Sequence, residues 1–153
     1  MKFPYQPLIW FDGLTRSFDD VMRPEIELTV HGPSASVSYS ALVDTGADQV
    51  VLPCSLARRL GVTLDPSRTR PAKVFGGSCL AFQSGKVELE VGPTGQSVRW
   101  ATTVCFLDFD SQEDEVLILG HAGFLDYFTA SFDGEQAELT LRPNDRVPIH
   151  NSI

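Results

Sequence analysis

One stretch of the chain combines residue types that could do chemistry: Ala41-Leu42-Val43-Asp44-Thr45-Gly46-Ala47-Asp48, followed by Val50-Val51-Leu52. An apolar run delivers an acid, a hydroxyl and a glycine at its end, and a second apolar run follows. A carboxylate left charged and alone among such neighbours would be costly, so something must share its proton or its charge. That requirement is also what general acid–base chemistry uses, since a carboxyl group can give up or take a proton during reaction. Asp-Thr-Gly alone is short enough to arise by chance. The apolar strand before it and the Ala-Asp and apolar run after it give it weight.

Two further segments stand out. Val116-Leu117-Ile118-Leu119-Gly120-His121-Ala122-Gly123-Phe124-Leu125 begins as an all-apolar strand, which needs cover on both faces and so belongs at the centre of a fold. Val74-Phe75-Gly76-Gly77-Ser78 reads as a hairpin tip, with Lys73 on one side and Leu80 and Phe82 on the other. Such a tip is either an ordinary turn or a cover over a site. The acidic run 108–115 lacks the Gly and Glu of a calcium loop at the required positions and reads as a solvated loop. His31, His121 and His150 do not combine with cysteine at zinc-ligand spacing, so no metal is expected. Cys54, Cys79 and Cys105 cannot all pair within the chain and read as three buried thiols in a reducing compartment.

The elements that must position these residues are mostly strands. Ile26, Leu28 and Val30 alternate with polar neighbours, as do Val37, Tyr39, Ala41 and Val43. The same holds for Val87, Leu89 and Val91, and for Ala137, Leu139 and Leu141. A period of two marks a half-buried strand. Gly-containing turns separate the runs, among them His31-Gly32-Pro33, Gly92-Pro93-Thr94-Gly95 and Asp133-Gly134. Two short helices are predicted, over 53–60 with Gly61 as its stop and over 121–127. Residues 1–23 are rich in proline and aromatics and show no clear period. They read as an extension packed on the surface.

The chain has 153 residues, a length for one domain, and 42% of them are hydrophobic, enough for a core. Twelve basic residues against 20 acidic ones leave a net charge of −8, which argues against nucleic acid or anionic membrane as partner. No apolar run approaches the ~20 residues of a membrane span, and the first residues lack a secretory leader. A cytoplasmic protein is expected.

The three segments together resemble the retropepsins, the retroviral-type aspartic peptidases, and are closer to cellular and bacterial members than to viral ones. The strand ending in Asp44-Thr45-Gly46 is similar to the family's catalytic loop. Ile118, Leu119 and Gly120 with His121 are similar to the block that packs beneath it. Val74, Phe75, Gly76, Gly77 and Ser78 fall where the family has its flap. The resemblance covers roughly residues 25–142. It implies an all-β closed barrel of the retropepsin-like acid protease type, single-lobed, with one or two short helices. The implied organisation is an N-terminal extension (1–23), the protease domain (24–142) and a C-terminal tail (143–153).

The chain carries one Asp-Thr-Gly, so the resemblance implies a homodimer in which two copies of Asp44 form the site. It further implies a peptide or protein substrate, water as nucleophile and no cofactor. Thr45 would brace the two loops, Gly46 would leave room for substrate backbone, and Asp48 would steady the loop and contact substrate main chain. Viral members commonly place an arginine where His121 stands. An Asp48–His121 pair would then need a protonated imidazole, and the alternative is a histidine satisfied at its own helix. A second functional reading is the same fold kept as a dimerisation or peptide-binding module with little hydrolysis.

Overall fold

The computed structural model describes residues 1–12, 17–73, 79–109 and 115–148. Its largest sheet contains β4 (Glu25–His31), β5 (Ser36–Val43), β6 (Val51–Pro53), β7 (Asp65–Lys73), β8 (Cys79–Val91), β9 (Val98–Leu107) and β10 (Ile118–Leu119). The strand order is β4-β5-β10-β6-β9-β8-β7, and β4 also pairs with β8. That extra pairing returns the sheet to its starting strand, so six strands form a closed barrel and β7 hangs from β8. The pairing of β8 changes along its length. Its first part faces β7, with Lys73↔Cys79 and Asp65↔Ser84, and its last part faces β4, from His31↔Glu88 to Leu28↔Val91.

The predicted alternation appears in the burial of the strands. Ile26, Leu28 and Val30 of β4 and Val87, Leu89 and Val91 of β8 are all in the core, packed with Leu52, Trp100, Phe106 and Leu119. Fully burying each Leu or Val side chain stabilises the fold by roughly 1.5–3 kcal/mol before conformational entropy is set against it. Val37 and Tyr39 are only half-buried, at the edge of that core. Tyr39 is covered instead by Arg59, whose guanidinium lies 5.6 Å from the ring centroid.

The first predicted helix is α1 (Cys54–Leu60), which begins one residue later than expected. Pro53 stays extended at φ −72° and ψ 145° and serves as the N-cap. Leu56, Ala57 and Leu60 face inward, and Gly61 ends the helix at φ 72°, the left-handed conformation glycine allows. The second predicted helix is only a three-residue 3-10 turn, Leu125–Tyr127. Gly123 just before it, at φ 97°, adopts a conformation that cannot belong to a right-handed helix.

Residues 1–12 and 17–23 contain more regular structure than their lack of period suggests. β1 (Lys2–Pro4) pairs with β12 (Glu138–Pro143), which also pairs with β11 (Phe128–Asp133), making a three-stranded sheet β1-β12-β11. β2 (Gln6–Asp12) and β3 (Ser17–Arg23) form a separate two-stranded sheet. Leu139 and Leu141 are buried as expected, but Ala137 precedes the strand in the turn, at φ 48°. The Asp133 carboxylate organises that turn by accepting the N–H groups of Glu135 and Gln136. Residues 144–147 pack back on the domain: Val147 is buried, and Asn144 donates to the carbonyls of Tyr127 and Asp126. Among the described residues no helix is long and apolar enough to cross a membrane.

Candidate active site

Asp44 is the first residue beyond β5, and three strands determine where it lies. β10 runs parallel to β5, with Ile118↔Leu42 and Leu119↔Val43, and antiparallel to β6, with Ile118↔Val51. The apolar run 116–119 is therefore inserted between the strand that enters the Asp44 loop and the strand that leaves it. Backbone bonds continue past the strands: Leu42 N–H donates to Leu117 O at 2.9 Å and Asp44 N–H to Leu119 O at 3.1 Å. Beyond Gly120 the chain bonds the other limb of the loop, His121 N–H to Ala47 O at 2.9 Å and Ala122 N–H to Asp48 O at 2.8 Å. Val50 N–H returns a bond to Ala122 O at 3.2 Å.

Gly120 makes this closeness possible. A Cβ there would lie 2.4 Å from Gln49 O and 2.5 Å from Ala47 O, both backbone atoms that cannot swing aside. The absence of a side chain at 120 is thus a requirement of the loop above it. Beneath, Trp100 packs on Phe124, Tyr127 and Phe128, with ring centroids 5.4–6.2 Å apart. Its buried indole N–H donates to Gly123 O at 2.9 Å, which anchors the segment after Gly120. Trp100 carries no signal in the sequence beyond being a large aromatic at an inward position of a strand.

Within the loop, Asp44 Oδ1 accepts the Gly46 N–H at 2.8 Å. A side chain at Gly46 would place Cβ 3.2 Å from that oxygen, so glycine lets the amide approach the carboxylate. Asp44 is half-buried, while Thr45, Gly46 and Asp48 are exposed. The expected apolar enclosure of Asp44 is thus open on one side within a single chain. The His121 ring Nε2–H donates to Thr45 O at 3.1 Å, a contact that sets the tautomer and ties the loop crown to the segment beneath it. No ion pair joins Asp48 and His121 among the described residues. One carboxylate, one oriented amide and an exposed crown can accept or donate a proton, but a single carboxyl group cannot do both in one step.

Ile118, Leu119, Gly120 and His121 therefore lie with Asp44, Thr45, Gly46 and Asp48 in one hydrogen-bonded unit. Val74, Phe75, Gly76, Gly77 and Ser78 lie outside the described residues, between the paired ends of β7 and β8. Most of the acidic run, 110–114, is outside them too. Cys54 and Cys105 are half-buried rather than fully buried. Burial, reinforced by Asp108 and opposed by Arg58, pushes the Cys54 thiol up from its ordinary value. Cys105 Sγ lies 2.6 Å from Gln49 Oε1, at the foot of the loop. Among the described residues no group of three or more His, Cys, Asp or Glu side chains could hold a metal ion.

The profile of the family described as Aspartyl protease matches residues 26–121, a span that contains the Asp44 loop and ends at the block beneath it. That span is more than half of the chain, and the chain belongs to the aspartyl protease family. Two solved structures are similar to it. EIAV protease complexed with the inhibitor HBY-793 is 22% identical, with a TM-score of 0.41 over 65% of this chain and 82% of that one. A retropepsin-like aspartic protease from Rickettsia conorii is 17% identical, with a TM-score of 0.43 over 89% of this chain and 90% of that one. No curated protein matches the chain.

Proposed function

We propose that the chain is an aspartic endopeptidase that works as a homodimer, with Asp44 of each subunit forming the catalytic pair. The observation that carries this reading is the setting of Asp44: a single carboxylate, oriented by the Gly46 amide, at the exposed crown of a loop closed from below by backbone bonds to residues 119–122. Asp133 does not serve as a second acid, because its carboxylate holds its own turn. Two-fold association supplies the missing partner with the same geometry.

Two carboxylates about 3 Å apart cannot both ionise, so the pair holds one shared proton and titrates as a unit. The ionised member takes a proton from water as that water attacks the scissile carbonyl, and the protonated member gives its proton to the developing oxyanion. No cofactor enters this scheme. Thr45 and Gly46 support the loop, and Asp48 lies at its exposed rim. The substrate binds as an extended strand between this floor and the β7–β8 hairpin, with Val74 to Ser78 as the flap. An odd count of three cysteines suits a reducing, cytoplasmic setting.

The test is cleavage of a denatured protein or a peptide library between pH 4 and 7.5 by the wild type and by Asp44→Asn. Loss of at least about a hundredfold is expected in the variant. Adding excess Asp44→Asn chains to the wild type should also lower its activity, because mixed dimers lack one acid. Cleavage persisting in the variant overturns the assignment of Asp44. A proven wild-type dimer that cleaves nothing leaves the peptide-binding module as the better reading.

A further inference from the structure

We propose that the β2–β3 hairpin is an arm by which each subunit clasps the other beside the Asp44 loop. The inference rests on the dimeric reading above and names the surface that makes the dimer. The register of β4 on β5 places the root of the hairpin. Glu25 lies opposite Leu42, and the Pro24 carbonyl accepts the Val43 N–H at 2.9 Å. One residue further, Arg23 is level with Asp44, held there by its ion pair with Glu25 at 3.3 Å. The hairpin is therefore rooted at the end of β5 where Thr45 and Gly46 are exposed.

A second Asp44 must approach from that same end. A seven-residue strand reaches roughly 23 Å, enough to pass the axis between two loops and lie on the neighbouring subunit. The hairpin is also built to be covered. Among the described residues its strands pair only with each other, from Gln6↔Arg23 to Asp12↔Ser17, and an isolated two-stranded hairpin is marginal in water. β2 carries the unbroken apolar run 8–11. Among the described residues, three of the four exposed large hydrophobics are here: Leu8, Val21 and Met22, each 42–46% exposed. Leu8 is paired with Val21 and Met22 with Pro7, so both faces of the hairpin offer apolar surface.

A second copy is the occupant these facts select. Each chain carries a net charge of −8, so two copies repel and association needs apolar contact to offset that. An arm rooted level with Asp44 supplies apolar surface where the two copies must meet.

The test uses sedimentation equilibrium and peptidase assays on the full chain, the triple variant Leu8→Ser/Val21→Ser/Met22→Ser, and Phe132→Ser as a control on the other exposed hydrophobic. The expected result is a dimer at least tenfold weaker in the triple variant than in the wild type, with unchanged circular dichroism. Its activity should be lost on dilution and recovered at high protein concentration. Phe132→Ser should leave the dimer constant unchanged. If the triple variant does not fold, a photo-crosslinker at position 8 of the otherwise native chain decides. Adducts to the other copy near residues 44–48 support the arm, and adducts within the same copy overturn it.

Equal dimer constants in wild type and triple variant overturn the arm while leaving the dimeric peptidase intact. So does weakening by Phe132→Ser alone. Hairpin-dependent pelleting with phosphatidylcholine vesicles, without change in the dimer, overturns it in favour of a lipid surface. A wild type that is monomeric at every concentration yet cleaves peptides overturns both the arm and the dimeric reading.

Discussion

The Asp44 loop and the root of the β2–β3 hairpin lie at the same end of the barrel, and the two segments are held in opposite ways. The loop is closed from below by bonds to Leu117, Leu119, His121 and Ala122, over a core that includes Leu119, Phe124 and Trp100. The two strands of the hairpin have no other strand partner among the described residues, and Leu8, Val21 and Met22 are exposed. A backbone satisfied on all sides can keep a carboxyl group within a narrow range of positions, as acid–base chemistry requires. A segment satisfied only along its own ladder contributes little to the subunit and has surface to spare for something else.

The comparison can be broken at several points. Gly120→Ala should have the largest effect, because the new methyl group meets two backbone carbonyls of the loop. A loss of about 3 kcal/mol in urea unfolding is expected, with peptidase activity falling alongside. Gly134→Ala has nothing within 4 Å of its Cβ and should stay within about 0.5 kcal/mol of wild type in the same titration. Trp100→Phe removes the indole donor and leaves the Gly123 carbonyl unpaired in the core; a cost of about 2 kcal/mol is expected. Leu8→Ser and Val21→Ser, measured at concentrations where the chain is monomeric, should each change stability by less than about 0.5 kcal/mol. Larger losses would mean that the hairpin packs on its own subunit.

The smallest effect expected is a pH dependence at the barrel seam. Glu90 is held below the ordinary carboxylate range, first by the Ser97 hydroxyl and then by His31, whose ring also meets Ser36. A group lowered by folding adds stability above its unfolded value, near 4.3. That contribution fades as pH falls through the lower folded value. Glu90→Gln should therefore narrow the stability difference between pH 6 and pH 3, read as the shift in thermal midpoint.

Much of this was legible in the residues themselves. Period-two runs at 26–30 and 87–91 place inward positions correctly because one face of each strand meets the core and the other meets water. The apolar run before Gly120 had to be central, and it lies between β5 and β6. Residues 1–23 were harder to read. Run 8–11 has no polar alternation, so it carries no strand period, and the pairing of β1 with β12 joins positions some 136 residues apart in sequence. The His121 contact was not legible either: Asp48 and Thr45 are both within loop distance of position 121, and only the three-dimensional path of the loop selects the Thr45 carbonyl.

The divided pairing of β8 has a consequence for how such a protein can change. Residues 88–91 close the barrel against β4, while residues 79–84 are committed only to β7 and β9. Gly85 lies between these two parts, where a Cβ would strike Phe106 and Val62. Insertions or exchanges on the far side of that glycine leave the closing ladder untouched. Descendants of this chain can therefore vary in the segment between β7 and β8 without having to reinvent the scaffold that carries it.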